Sequence, residues 1–203
     1  MSPRHLILTA LAATALAGCA TTRAGPVEVT RFVDEARLAA LGQGTIFVET
    51  APGLTDPDSL ELSSYKAAVA RELTALGYRE TSRETADQVA QVSFDRFVQG
   101  AGGRRSPVSV GVGGSTGSYG SGVGLGIGIN LGGGSRETVG TELSVMIRDA
   151  RTNASLWEGR AQQQVASRSA MAESAAAAGV LADALFREFP GNNGETVEVG
   201  AGN

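Results

Sequence analysis

Alternating apolar and polar positions predict short β-strands near the start of the chain. Residues 27–32 and 45–48 are two β-rich runs. Between them, a polar stretch around 34–41 has the composition of one or two helical turns. The first elements of the predicted fold are therefore two strands joined by a short helical segment.

From Asp58 the apolar positions recur at the period of a helix. They are Leu62, Tyr65, Val69, Leu73 and Leu76. Asp58 and Glu61 have the three-residue spacing of a capping box, which predicts that Asp58 is the N-cap. Gly77 stands where a left-handed residue would end the helix, and we expect it to act as a structural anchor.

The period of two returns after this helix. Its apolar positions are Ala90, Val92 and Phe94 in one run, Leu143, Val145 and Ile147 in a second, and Trp157, Ala161 and Val165 in a third. A polar turn over residues 149–153 separates the second run from the third, which predicts a β-hairpin. Trp157 is large enough to be a core anchor on its strand, although it could instead line a ligand cleft.

A second helix is predicted over residues 169–189, where alanines are frequent and Pro190-Gly191 follows. Its apolar face is formed by Met171, Ala178, Leu181, Leu185 and Phe189, and Phe189 is expected to bury its ring at the helix end. Residues 192–203 are polar and acidic without periodicity, so we expect the tail 191–203 to be disordered.

Residues 100–134 hold 15 of the 28 glycines. Valine, leucine and isoleucine alternate with glycine there in two stretches, 108–112 and 123–131, which favours a β-hairpin over a random linker. Three placements stay open for this hairpin. It could extend the domain's own sheet, form a mobile flap that recruits a partner by β-augmentation, or insert into a membrane as part of an oligomeric barrel.

These elements predict one α/β (α+β) domain over residues 27–190. We expect a two-layer sandwich with a mixed, mainly antiparallel sheet, two principal helices and the glycine-rich hairpin as an insertion. The acidic residues outnumber the basic ones by 21 to 17, which argues against a nucleic-acid partner.

A different pattern precedes the domain. Arg4 is followed by an apolar run over residues 6–17, too short for a membrane-spanning helix, and then by Leu16-Ala17-Gly18-Cys19. This tetrapeptide resembles the lipobox of bacterial lipoproteins, and Cys19 is the only cysteine. The resemblance implies a signal peptide over 1–18, lipidation of Cys19 and a tether over 19–26. Ala20 is not the aspartate of an inner-membrane retention signal, so we expect a lipid anchor on the periplasmic face of the outer membrane.

After cleavage before Cys19, the chain would lack the residues that most catalytic mechanisms need. The one histidine, His5, would be removed, and the one thiol would be acylated. That excludes His-dependent triads, Cys nucleophiles and Cys/His zinc sites. We expect no enzymatic activity, no cofactor and no metal.

Three apparent motifs do not change this expectation. Residues 113–117 match G-x-S-x-G, but no histidine partner exists. Ser63 and Lys66 match S-x-x-K, but Lys66 is the only lysine, so a companion K-T-G is impossible. Asp56 and Asp58 do not continue as a calcium loop.

Several spaced segments resemble a known family. They are Leu73-Thr74-Ala75-Leu76-Gly77-Tyr78, Ala86-Asp87, Asp149, Leu156-Trp157-Glu158-Gly159-Arg160-Ala161 and Phe186-Arg187-Glu188-Phe189-Pro190. In this order they resemble bacterial lipoproteins with domain of unknown function 4136, over about residues 27–190. Residues 27–32 depart from the aromatic-rich opening of that family. The resemblance implies an α/β lipoprotein and no activity.

The sequence thus predicts a lipoprotein of the outer membrane with a binding, scaffolding or envelope-maintenance role, which acts on a protein partner. The alternative is a subunit of an oligomeric export or pore assembly that inserts the glycine-rich hairpin.

Overall fold

A computed structural model describes residues 25–54, 56–99 and 137–200. The lipobox with Cys19 and the glycine-rich segment 100–134 lie outside these described residues, as do the three placements predicted for that segment. Within the described part, no helix is both long and apolar enough to cross a membrane.

Seven strands form one mixed sheet in the order β3-β2-β4-β5-β6-β1-β7. Their bounds are β1 Val27–Val33, β2 Thr45–Thr50, β3 Arg79–Glu80, β4 Gln88–Gln99, β5 Thr138–Asp149, β6 Ser155–Ala166 and β7 Glu195–Val199. Strand β2 is parallel to both β3 and β4, whereas the other neighbours are antiparallel. The chain leaves the sheet at Gln99 and returns at Thr138, which are register partners.

Two helices, α1 Leu60–Ala75 and α2 Ser174–Phe186, complete the second layer. Both pack on the sheet face that carries the apolar alternate residues, among them Val29, Val92, Leu143 and Ala161. The opposite face carries mainly polar side chains. The predicted two-layer class, with a mixed sheet and two principal helices, is therefore confirmed.

The helix that was predicted from Asp58 begins one residue later than expected. Ser59 is the N-cap, and its hydroxyl accepts the Leu62 N–H at 3.1 Å. Asp58 lies exposed in the preceding turn. The capping box with Glu61 is therefore wrong, because the third residue after the actual cap is Leu62.

The second helix is shorter than predicted at both ends. Ser169 caps a single 3-10 turn, Ala170–Ala172, and extended Glu173 separates that turn from α2. At the other end the backbone is extended at Arg187 and left-handed at Glu188, where φ is 60°. Phe189 consequently lies beyond the helix, although its ring still packs against the core.

The prediction of a disordered tail is wrong for the residues that form β7. Strand β7 is antiparallel to β1, with Val197 opposite Val29 and Val199 opposite Val27. Val199 is buried and Val197 is packed against the core. Burial of these two valines, together with the backbone pairing to β1, holds the segment in the sheet.

Candidate functional site

A concavity lies where α1 passes the outer edge of β2. We call it the edge groove. It has a volume of about 530 Å³ and is lined by Val48, Lys66, Ala67, Ala70, Arg71, Thr74 and Glu80. Most of the lining side chains on α1 are exposed or half-buried, so the groove is open to solvent.

The groove exists because the chain crosses from β2 through α1 to a very short parallel strand. Gly77 ends α1 in a left-handed conformation, with φ at 108°. The N–H groups of Gly77 and Tyr78 donate to the carbonyls of Thr74 and Leu73, both at 3.1 Å, which is a Schellman motif. A Cβ at Gly77 would lie only 3.0 Å from the Gly42 carbonyl oxygen. This cap turns the chain so that β3 starts two residues later.

Strand β3 covers less than half of β2. Its two residues pair with Thr45 and Ile46, and the Thr81 N–H donates to the Ile46 carbonyl at 3.0 Å. Beyond Ile46, no described strand pairs with the outer side of β2. Such an edge presents unpaired backbone donors and acceptors.

The hydrogen bonds between β2 and β4 show which residues of β2 direct their backbone N–H and C=O groups toward the free edge. The Asp87 N–H donates to the Thr45 carbonyl, and the Ala51 N–H donates to the Val92 carbonyl at 2.8 Å. In a parallel ladder successive residues bond to opposite sides, so odd-numbered residues of β2 bond to β4. The backbone groups of Val48 and Thr50 therefore point outward, beside the edge groove.

Two cations stand on the helix wall of the groove. The Lys66 ammonium lies 3.5 Å from the Thr50 hydroxyl, whose own proton is donated to the Pro57 carbonyl at 3.1 Å. Neither Lys66 nor Arg71 forms a salt bridge with a carboxylate in the described part of the chain. Glu80 is the single carboxylate among the lining residues, so the groove carries a net positive charge within an acidic protein.

The side chains that α1 contributes at the centre of the groove are small, so they leave space above the sheet. Ala67 and Ala70 line the groove from α1. The Thr74 hydroxyl donates a hydrogen bond to the Ala70 carbonyl at 2.8 Å. The floor is the side chain of Val48, which is buried. The surface thus combines an apolar floor, a cationic wall and a free strand edge.

The S-x-x-K pair does not form a catalytic dyad. The Ser63 hydroxyl donates to the Ser59 carbonyl at 3.2 Å, whereas Lys66 approaches Thr50. Asp56 and Asp58 are both exposed in the loop before α1. Among the described residues, no group of three or more His, Cys, Asp or Glu side chains is arranged to hold a metal ion.

Trp157 lies in the core rather than in a cleft. It is 1% exposed, stacks on Phe186 at a ring-centroid distance of 5.4 Å, and contacts Phe189 at 5.2 Å. Its indole N–H donates to the Pro190 carbonyl at 2.9 Å. A Cβ at Gly159 would lie 2.3 Å from the indole ring, so this packing requires glycine there.

A buried arginine links β1 to the end of α2, and no pattern in the sequence predicted this contact. Arg31 is 2% exposed. Its guanidinium donates to the carbonyls of Leu185, Ala184 and Arg187 at 3.0, 3.2 and 2.6 Å. Burial lowers the pKa of Arg31, an effect opposed by Glu188 and Glu195. Because its donors serve the last carbonyls of α2, its role is structural.

The sequence reasoning also missed the edge groove. In the sequence, Lys66 was considered as the partner of Ser63 in an S-x-x-K motif. In the structure, its ammonium lies beside the Thr50 hydroxyl at the strand edge. The signal available in the sequence was weak: Lys66 is the single lysine, and alanines follow it one and four residues later.

The family model for domain of unknown function 4136 (DUF4136) matches residues 45–191. The chain belongs to the DUF4136 family. The match begins at β2 and ends before β7, so β1 and β7 lie outside it, and the edge groove lies within it. No curated protein matches this DUF4136 chain.

The solved structures to which this chain is similar include the following three. A PelC dodecamer from Paraburkholderia phytofirmans is 17% identical with a TM-score of 0.40, over 77% of this chain and 91% of that chain. A variant of that dodecamer is 18% identical with a TM-score of 0.36, over 70% and 84%. A PDZ domain protein from Parabacteroides distasonis is 13% identical with a TM-score of 0.46, over 87% and 39%.

Proposed function

We propose that this DUF4136 chain is a lipid-anchored lipoprotein of the bacterial outer membrane with a non-enzymatic binding or scaffolding role, exercised on a protein partner in the periplasm. In the part of the chain that the structure describes, no strand pairs with the outer side of β2 at Val48 and Thr50, and this edge, bordered by the open edge groove, is the observation that carries the binding role. A strand edge of this kind recognises extended polypeptide through its backbone groups.

The anchor is supported by Leu16-Ala17-Gly18-Cys19 after a short apolar run. A lipidated cysteine carries more than one acyl chain, which gives stable attachment. Ala20 favours the outer membrane over the inner one, because it differs from the aspartate of the retention signal.

A non-enzymatic role is supported by the side chains at the groove. The polar residues that line the groove are Lys66, Arg71, Thr74 and Glu80, and the lining includes no histidine or thiol. General-base and nucleophilic catalysis both need a group with a suitable pKa beside the reacting atom. We therefore assign the groove to binding.

The anchor is tested by metabolic labelling with an alkyne fatty acid, followed by separation of inner and outer membranes. We expect label on the natural chain, no label on Cys19→Ala, and a shift of Ala20→Asp to the inner-membrane fraction. Labelling of Cys19→Ala, or natural protein in the soluble periplasm, would contradict the anchor.

The binding role is tested in cells with a photo-crosslinking amino acid introduced at Ala67, which lines the groove. The control position is Ser63, exposed one turn earlier on α1 and outside the groove. An adduct with one other protein, formed from position 67 and not from position 63, is the expected result. Adducts with further copies of this chain would favour the oligomeric export or pore subunit instead, and absence of adducts would count against both.

A further inference from the structure

We propose that the edge groove binds a short extended acidic segment of the partner protein, which pairs with the outer side of β2 and places a carboxylate against Lys66 and Arg71. This inference rests on the proposed binding role and names the chemistry of what is bound. Backbone geometry, length and charge each restrict the occupant.

The backbone restricts the occupant to a polypeptide in extended conformation. Val48 and Thr50 offer alternating N–H and C=O groups along the free edge, and only another strand matches that alternation. Their outward direction follows from the bonds that Thr45 and Ala51 make to β4. The incoming strand would continue the line that β3 begins.

The available length makes the bound segment short. Strand β2 ends at Thr50, and β3 occupies the edge beside Thr45 and Ile46. The free part spans residues 47–50, about 13 Å at the rise of a strand. A segment of three to five residues fits this space, whereas a long strand would collide with β3 or overrun the end of β2.

The charges restrict the side chains of the segment. Val48 is buried on the helix side of the sheet, so alternate residues of an added strand would point toward α1. There they meet Lys66 and Arg71, neither of which forms a salt bridge with a carboxylate in the described residues. Acidic side chains at alternate positions are therefore favoured on the helix side.

On the other face of the sheet, the β2 carboxylate beside the added strand already has partners. Glu49 points to the opposite face of the sheet, where it accepts hydrogen bonds from Arg83 and Gln91, each at 3.0 Å. Because that carboxylate is already paired, it supplies no further charge selection. We therefore expect acidic residues to be favoured at every second position of the bound segment.

The probe is a library of random heptapeptides displayed on phage and selected on the purified protein. We expect Asp and Glu to be enriched at alternate positions of the selected peptides. The strongest peptide is then synthesised, and its affinity is measured by fluorescence anisotropy for the natural chain and the variants.

Removal of the two cations should weaken binding of that peptide about tenfold in Lys66→Gln/Arg71→Gln, because two exposed ion pairs are lost. The charge-matched control is Arg151→Gln/Arg168→Gln, both exposed and outside the groove lining. We expect its affinity to equal that of the natural chain. Equal affinity of all three proteins would overturn the acidic assignment.

Strand addition is tested by residue-level amide hydrogen exchange at saturating peptide. We expect slower exchange at Val48 and Thr50, and no change at Phe47 and Glu49, which already bond to β4. Thr50→Pro removes one outward N–H at an edge position that tolerates proline. It should abolish binding, whereas Thr50→Val should retain it.

The outcomes separate the inference from the proposed function on which it rests. Protection at Val48 and Thr50 by peptides without acidic enrichment would overturn the acidic inference and leave the binding role standing. Peptides that bind without such protection, or no selected peptide at all, would overturn both.

Discussion

Tyr78 shows how a single hydroxyl fixes the loop that precedes β2. It is 2% exposed, and its oxygen accepts the Gly42 N–H at 2.9 Å while donating to Gln88 Oε1 at 3.1 Å. The Gln88 amide in turn donates to the Ala40 carbonyl at 2.7 Å. This chain of bonds ties residues 40–42 to the start of β4, and through it to the strand that carries the edge groove.

Burial raises the pKa of Tyr78 to about 12, from 10.0 in an unperturbed tyrosine. A raised folded-state pKa means that the neutral form is favoured by folding. The contribution is complete below pH 10 and is lost as the pH rises toward 12, because the unfolded chain ionises first. The full difference corresponds to about 2–3 kcal/mol.

We therefore predict two effects of Tyr78→Phe. At pH 7 the free energy of unfolding should fall by about 1–3 kcal/mol, since Gly42 and Gln88 lose a partner. Between pH 9 and 11.5 the variant should lose stability less steeply than the natural chain. Urea unfolding at several pH values measures both effects. Tyr65, whose pKa is also raised by burial to about 12, is present in both proteins, so its contribution cancels. Parallel pH profiles would contradict the prediction.

At the scale of an element, the start of α1 depends on Ser59. Its hydroxyl accepts the Leu62 N–H, while Asp58 makes no such bond in the described structure. Ser59→Ala should lower the free energy of unfolding by about 1 kcal/mol, the usual cost of an N-cap. Asp58→Ala is the matched control and should change it by no more than a few tenths. Urea unfolding decides this, and a larger loss for Asp58→Ala would restore the capping box.

Strong periodicity made some elements predictable. The apolar face of α1 and the strands around Val92, Val145 and Trp157 follow from spacing, because each buries one face against the same core. Helix ends were harder. Ser59 and Asp58 are both residue types that favour the N-cap position, and the end of α2 is bonded by Arg31, which lies 154 residues from its acceptor Leu185.

The edge groove could not be predicted from the sequence either, because it also depends on contacts between elements that are distant in the chain. It exists because β3 stops after Glu80, which follows from the Schellman motif at Gly77 and the turn that begins after Thr81. Lys66 is visible in the sequence, but its position beside Thr50 requires the packing of α1 against β2. A candidate site that is formed by the backbone of an edge strand requires few particular residue types, so the sequence hardly indicates it.

At the scale of the whole molecule, β7 is the last described strand at one side of the sheet, and at the other side the two-residue β3 covers only part of β2. Strand β7 lies outside the DUF4136 match, as does β1. Both are nevertheless integrated, because β1 lies between β6 and β7 and supplies the Arg31 guanidinium to the end of α2. The family region thus relies on flanking strands for one edge of its core.

This architecture predicts that a chain ending at Gly194 is destabilised by about 2–4 kcal/mol. Such a truncation removes β7, exposes the pairing edge of β1 and uncovers core next to Val197 and Val199. It also removes Glu195, whose charge opposes the lowering of the Arg31 pKa. A chain ending at Gly200 keeps β7 and is the control. Urea unfolding should separate the two chains, and sedimentation velocity should show self-association of the shorter one through the bared β1 edge. A tail without structural role would give equal unfolding curves, and in that case the seventh strand would contribute nothing to the core that positions α2.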